Sequence, residues 1–293
     1  MKIKKSWFFF IPVLLISVAL TLYQVLVVYN GANKSFFDGG IASIIFVSAI
    51  IVLFISLLTL SKKDSVTNGN YLISKNIPAS IFMLLTSILV IIYGVLQFMN
   101  IIENSMNFLV LLNSIFSVLS GVTFGLMGFG SLTGKNTLLK SNVLVLFPTI
   151  WGVVQIFSIF MSYAAVSVHA VNMLDLVYVV FTTLFVLNVS IIYANTKSEN
   201  ALKSCFVYGM LSVVTVISYA VALFASQISL NGTIDIMQNT QLLPYLTLSI
   251  FTIFFLIELT KKGKTIEDAE KFNASLYEYL DTDNYIIQEE DAT

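Results

Sequence analysis

The chain has 293 residues, of which 57% are hydrophobic and 11% charged, with a net charge of -1 and a mean hydropathy of +0.91. A water-soluble domain of this length could not expose so apolar a composition, so soluble globular classes are excluded and the chain belongs in a bilayer. One cysteine (Cys205), one histidine (His169) and no arginine rule out a disulfide framework, argue against a multi-ligand metal site and leave no guanidinium fork for bidentate capture of an anion.

A spanning helix needs about 20 mostly apolar residues to cross about 30 Å of hydrocarbon. Eight runs qualify: 7–30, 41–60, 78–99, 107–131, 143–163, 173–195, 203–226 and 242–260. Each run is continuously apolar rather than alternating, so the expected fold is an all-α bundle of eight transmembrane helices, not a barrel. The transmembrane domain covers 1–262, and 263–293 form a tail.

Helix 1 follows the basic start MKIKK, is too long for a signal-peptide core and is expected to stay uncleaved; it carries Pro12, Ser17, Thr21 and Gln24. Helix 3 contributes Thr86, Tyr93 and Gln97. Helix 4 holds Gly121, Gly125, Gly128 and Gly130, with Ser114 and Ser117 before them. The Gly121-to-Gly125 spacing lets a neighbouring backbone approach closely, either within the chain or in a homodimer through helix 4.

On helix 5, Pro148, Gly152, Gln155, Ser158 and Ser162 recur at helical spacing. Helix 6 adds Asp175, Tyr178 and Thr182 on one side and Asn188 deeper, and helix 7 adds Tyr208, Ser212, Thr215, Tyr219 and Ser226. Such stripes turn away from lipid, for interhelical hydrogen bonding or to line a weakly polar cavity among helices 5 to 7. Asp175 reads as the acid of a capping box opened by Asn172, or as part of an outward-facing site. Glu258, one turn before Lys261 and Lys262, reads as an interfacial ion pair.

The lysines set the orientation. All but Lys34 fall in segments on one side, so the positive-inside rule puts both termini in the cytoplasm. The bias toward Ile, Phe, Asn, Tyr and Lys with no Arg points to a low-GC bacterium and its cell membrane. Residues 263–293 hold two lysines against nine acids, a local charge of -7. An anionic leaflet repels such a tail, which suits a cytoplasmic protein partner instead. Tyr93-Gly94-Val95 and Tyr219-Ala220-Val221 stand 126 residues apart, part of a pattern expected of a parallel 4+4 internal repeat.

No nucleotide-binding, hydrolase or metalloprotease motif occurs, and ionisable residues are missing from mid-membrane depth, so an enzyme, a cofactor or nucleic-acid binding is not expected. Two functions stay open. One is a permease-like protein moving a small neutral or amphiphilic solute past helices 5 to 7. The other is a membrane sensor, accessory or assembly protein acting through helix packing and its acidic tail.

Overall fold

The computed structural model describes residues 5–28, 41–62, 75–104, 108–134, 143–164, 170–194, 201–231, 233 and 239–261. His169 and the tail 263–293 lie outside them. Eight helices are long and apolar enough to cross a membrane, and no strand occurs among the described residues. They are α1 (Ser6–Tyr23), α2 (Ile41–Lys62), α3 (Ile77–Asn104), α4 (Phe108–Thr133), α5 (Phe147–Ala164), α6 (Ala170–Tyr193), α7 (Ala201–Asn231) and α8 (Leu242–Lys261). A π-helical turn, Gln24–Val28, extends α1, and a 3-10 turn, Leu144–Leu146, leads into α5.

The helices run longer than the apolar runs at several ends, because polar residues such as Asn104 and Asn231 continue a hydrogen-bonded helix once it is started. The described part of α6 runs from Ala170, so the backbone of Asn172 and of Asp175 is helical. Asp175 keeps a favourable place near the positive end of the helix dipole.

Burial sorts the helices. α7 is the most enclosed, with 72% of its span buried, while α1 and α2 reach only 28% and 22%. The sequence of α7 explains this: Ser212, Val213, Val214, Thr215, Val216, Ser218, Ala220 and Ala222 put small side chains on every face, and all are buried. A helix that is small and apolar all round can be surrounded by others. The peripheral helices instead show Phe8, Leu15, Ile44, Val52, Ile81 and Ile88 on the outside, the surface that acyl chains would cover.

α3 and α4 are zipped together. The Ser87 hydroxyl donates to the Gly121 carbonyl at 2.7 Å, Ser114 to the Gly94 carbonyl at 2.7 Å and Ser117 to the Val90 carbonyl at 3.0 Å. A methyl group at Gly121 would overlap Ile91, one at Gly125 would meet Ser87 Oγ at 3.0 Å, and one at Gly128 would meet Leu84 at 3.0 Å. The glycine face, expected to let a neighbouring backbone approach within the chain or in a homodimer, packs against α3 of the same chain. Gly130 is buried, and its carbonyl accepts from the Gly134 amide at 2.9 Å.

α3 also meets α8 along an antiparallel seam. Asn76 pairs with Glu258, Phe82 stacks on Phe254 with ring centroids 5.6 Å apart, and the Thr86 hydroxyl donates to Thr247 at 3.0 Å. At the same end as Asn76, the Trp7 indole donates to Thr260 at 3.3 Å. Lys5, Lys75 and Lys261 gather there too, so this is the lysine-rich end of the bundle. A parallel 4+4 repeat would set α2 against α3 as α6 lies against α7. α6 and α7 do pack on one another, whereas α2 packs on α1 and α7.

Candidate functional site

Tyr93 of α3 is the hub of a buried polar cluster toward the lysine-poor end. Its hydroxyl accepts from Asn113 Nδ2 at 3.1 Å, Gln155 Nε2 at 3.2 Å and Gln97 Nε2 at 3.2 Å, and donates to Gln155 Oε1 at 3.4 Å. A hydroxyl has two acceptor lone pairs, so three amides compete for two places. Tyr93, Asn113 and Gln155 are each at most 3% exposed.

An aromatic wall adjoins this hub. Trp151 of α5 stacks on Tyr245 of α8 at 5.4 Å, Tyr245 meets Tyr178 of α6 edge-on at 5.2 Å, and Tyr178 lies 5.1 Å from Tyr219 of α7. Tyr93, Tyr219, Tyr245 and Asp175 all come within electrostatic reach of the Tyr178 hydroxyl. Three polar atoms here are buried without a hydrogen-bond partner among the described residues: Trp151 Nε1, Tyr245 Oη and Asn113 Oδ1. Each such atom costs about 1–3 kcal/mol relative to a hydrogen-bonded one.

The stripes expected to line a cavity among α5, α6 and α7 are differently engaged. Thr182 and Ser212 are bonded to each other at 2.7 Å, and both are buried. Thr215 donates to the Leu211 carbonyl at 2.9 Å and Asn188 to the Leu184 carbonyl at 2.7 Å, each within its own helix. A methyl group at Gly152 would overlap Thr183, so α5 and α6 touch there. Ser158 and Tyr208 are half-buried, the latter packed against the core. Of the expected lining residues, Gln155 bonds the Tyr93 hydroxyl, and Tyr178 and Tyr219 belong to the aromatic wall. Gln155 turns toward α3 and α4.

A second polar group closes the lysine-rich end. Asn76 caps α3, its Oδ1 accepting from the Ala79 amide at 3.1 Å, while its backbone amide donates to the Ser131 carbonyl at 3.0 Å. Its Nδ2 donates to Glu258 Oε2, which ties α3 to α8. Ser131 bonds the Tyr193 hydroxyl at 2.5 Å. Beside them opens a groove of about 760 Å³ lined by Lys75, Asn76, Ile77, Pro78, Phe254, Ile257, Glu258 and Lys261. Glu258, expected to serve a lysine of its own helix, thus has an asparagine of α3 as a partner.

Sequence reasoning passed over Asn76, Asn113, Trp151 and Tyr245. Asn76-Ile77-Pro78 carried a signal, an asparagine cap followed by a proline in the first turn. Asn113 is a lone amide in an apolar run, and its burial could be inferred, though not its partner. Among the described residues, no three of His, Cys, Asp and Glu come together as a metal site would require. No protein-family model, curated protein or solved structure matches the chain.

Proposed function

We propose that this multi-pass protein is a permease-like solute-binding protein of the cell membrane with both termini cytoplasmic. Its site is the Tyr93 cluster, and its ligand is a small uncharged molecule that both donates and accepts hydrogen bonds. The observation that carries this reading is the set of buried unpartnered atoms, Trp151 Nε1, Tyr245 Oη and Asn113 Oδ1, beside one tyrosine hydroxyl. Two donors and an acceptor suit a neutral solute with a hydroxyl or amide, and the stacked rings of Trp151 and Tyr245 suit a flat apolar face. The absence of arginine anywhere in the chain argues against a carboxylate or phosphate as the group recognised.

The test rests on opposite signs. Tyr245→Phe removes a hydroxyl that has no partner, so the empty protein should be unchanged or stabilised by about 1 kcal/mol. The same substitution should remove stabilisation by the ligand. Thermal unfolding is measured for purified protein across a panel of polyols, neutral sugars, amides and neutral heteroaromatics, with and without Tyr245→Phe and Trp151→Phe. Counterflow of the best binder into proteoliposomes then tests transport. A panel in which no compound raises the melting temperature of the wild type would sink the proposal.

One observation favours the accessory reading instead, the direct closure of Thr182 on Ser212 where a passage among α5, α6 and α7 was expected. If deletion of 265–293 abolishes partner capture while no solute binds, the accessory function stands and the permease does not.

A further inference from the structure

Taking the Tyr93 cluster as the binding site, we infer that the group it recognises is a primary carboxamide, which takes the place that the Gln97 side-chain amide holds on the Tyr93 hydroxyl. Three amides share the two lone pairs of that hydroxyl. Asn113 and Gln155 are buried and have no water to turn to. Gln97 stands one turn beyond Tyr93 on the lysine-poor side, is only half-buried, and precedes the end of its span at Ile102 by five residues. It is therefore the amide that yields, because water at the membrane boundary replaces its bond at little cost. Whatever follows it onto Tyr93 has to donate an N–H and fit the space of an amide.

Counting donors and acceptors selects the ligand. Trp151 Nε1 and the Tyr245 hydroxyl are donors and Asn113 Oδ1 is an acceptor, all buried without a hydrogen-bond partner among the described residues. They belong to one cluster: Trp151 is one turn before Gln155 on α5, Tyr245 stacks on Trp151 and comes within electrostatic reach of Tyr93, and Asn113 is bonded to Tyr93. A primary carboxamide carries one carbonyl oxygen with two lone pairs and one NH2 with two hydrogens. Its oxygen accepts from the indole and from the Tyr245 hydroxyl. Its two N–H groups donate to Asn113 Oδ1 and to the Tyr93 lone pair that Gln97 vacates, which closes the count on both sides. An alcohol has a single hydrogen to give, and a ketone, an ester or a carboxylate has none for Asn113 Oδ1. The stacked rings of Trp151 and Tyr245 suit an amide joined to an aromatic ring.

The probes are benzamide, N,N-dimethylbenzamide, acetophenone and benzyl alcohol, titrated calorimetrically into the purified full chain in detergent micelles. Benzamide should bind about tenfold more tightly than the dimethyl amide or the ketone, the weight of a buried acceptor left unpaired. Tyr245→Phe should weaken benzamide and acetophenone alike, by up to about tenfold, since both present the same carbonyl to that hydroxyl. Gln97→Ala should tighten benzamide about threefold, because no bond to Tyr93 then has to be broken. Any of the other three probes binding as tightly as benzamide would overturn the inference. So would weaker benzamide binding in Gln97→Ala, which would make Gln97 a holder of the ligand and not its stand-in. If none of the four binds while a polyol or neutral sugar does, the carboxamide is wrong and the Tyr93 site remains; if no compound of the wider panel binds, the site itself is lost and the carboxamide with it.

Discussion

Replacing Tyr93 by phenylalanine removes one oxygen and keeps the ring. That oxygen serves three amide donors at 3.1–3.2 Å, and its two lone pairs can satisfy two of them fully. Asn113 and Gln155 are buried, so on losing it they find no water, and their N–H groups stay desolvated. Hydrogen bonds between membrane helices average about 0.6 kcal/mol and reach about 1.7, so two lost together cost about 1–3 kcal/mol. The assay is reversible unfolding in mixed micelles, read as the free energy of Tyr93→Phe against wild type. A double-mutant cycle with Gln155→Leu adds a second reading: the double variant should be less destabilised than the sum of the singles by about 1 kcal/mol, because both remove the same bond. A Tyr93→Phe protein within 0.3 kcal/mol of wild type, or strict additivity with Gln155→Leu, would refute the hub, since either outcome means the amides have other partners.

Other perturbations probe the rest of the bundle. Gly121→Ala drives a methyl group into Ile91 and should destabilise by about 1–3 kcal/mol, more than Gly125→Ala, which meets only Ser87 Oγ at 3.0 Å; ranked melting temperatures check the order. Thr182→Val and Ser212→Ala each break the bond between α6 and α7 and should cost about 1 kcal/mol singly with little added in the double variant, leaving binding of the neutral solute intact. Loss of solute binding in either would return the site to the stripes of α5, α6 and α7. For topology, Lys34→Cys should react with an impermeant maleimide in intact cells and Lys262→Cys should not, against a silent background because Cys205 is fully buried.

The number of helices was legible because length and continuous apolarity report directly on a bilayer crossing. Pairing between helices was not, and the reason is physical. In a membrane the lipid-facing side of a helix is as apolar as its packed side, so periodicity marks a polar stripe without naming what it faces. Gln155 shows the consequence: its stripe was plain, yet its partner Tyr93, which Asn113 of α4 also bonds, is on α3 rather than α6 or α7. Glu258 shows another. A lysine one turn away gave a local explanation, and the asparagine 182 residues earlier in the chain was visible only in three dimensions. The glycines of α4 left open whether the neighbour was in the same chain or a second copy, and in the structure α3 packs against them.

Both polar clusters lie on one seam. From the lysine-rich end, α3 and α8 meet at Asn76 with Glu258, Phe82 with Phe254 and Thr86 with Thr247, and beyond these Tyr93 comes within electrostatic reach of Tyr245. Each hydroxyl or ring pair of this kind contributes on the order of 1 kcal/mol. The boundary between α3 and α4 is different, because three serine hydroxyls bond backbone carbonyls across it and its glycines leave no room for slippage. If the bundle parts to admit a solute to the tyrosines, the cheaper line of separation is therefore between α3 with α4 on one side and α8 on the other. Such an opening would stretch the Asn76–Glu258 contact at its far end.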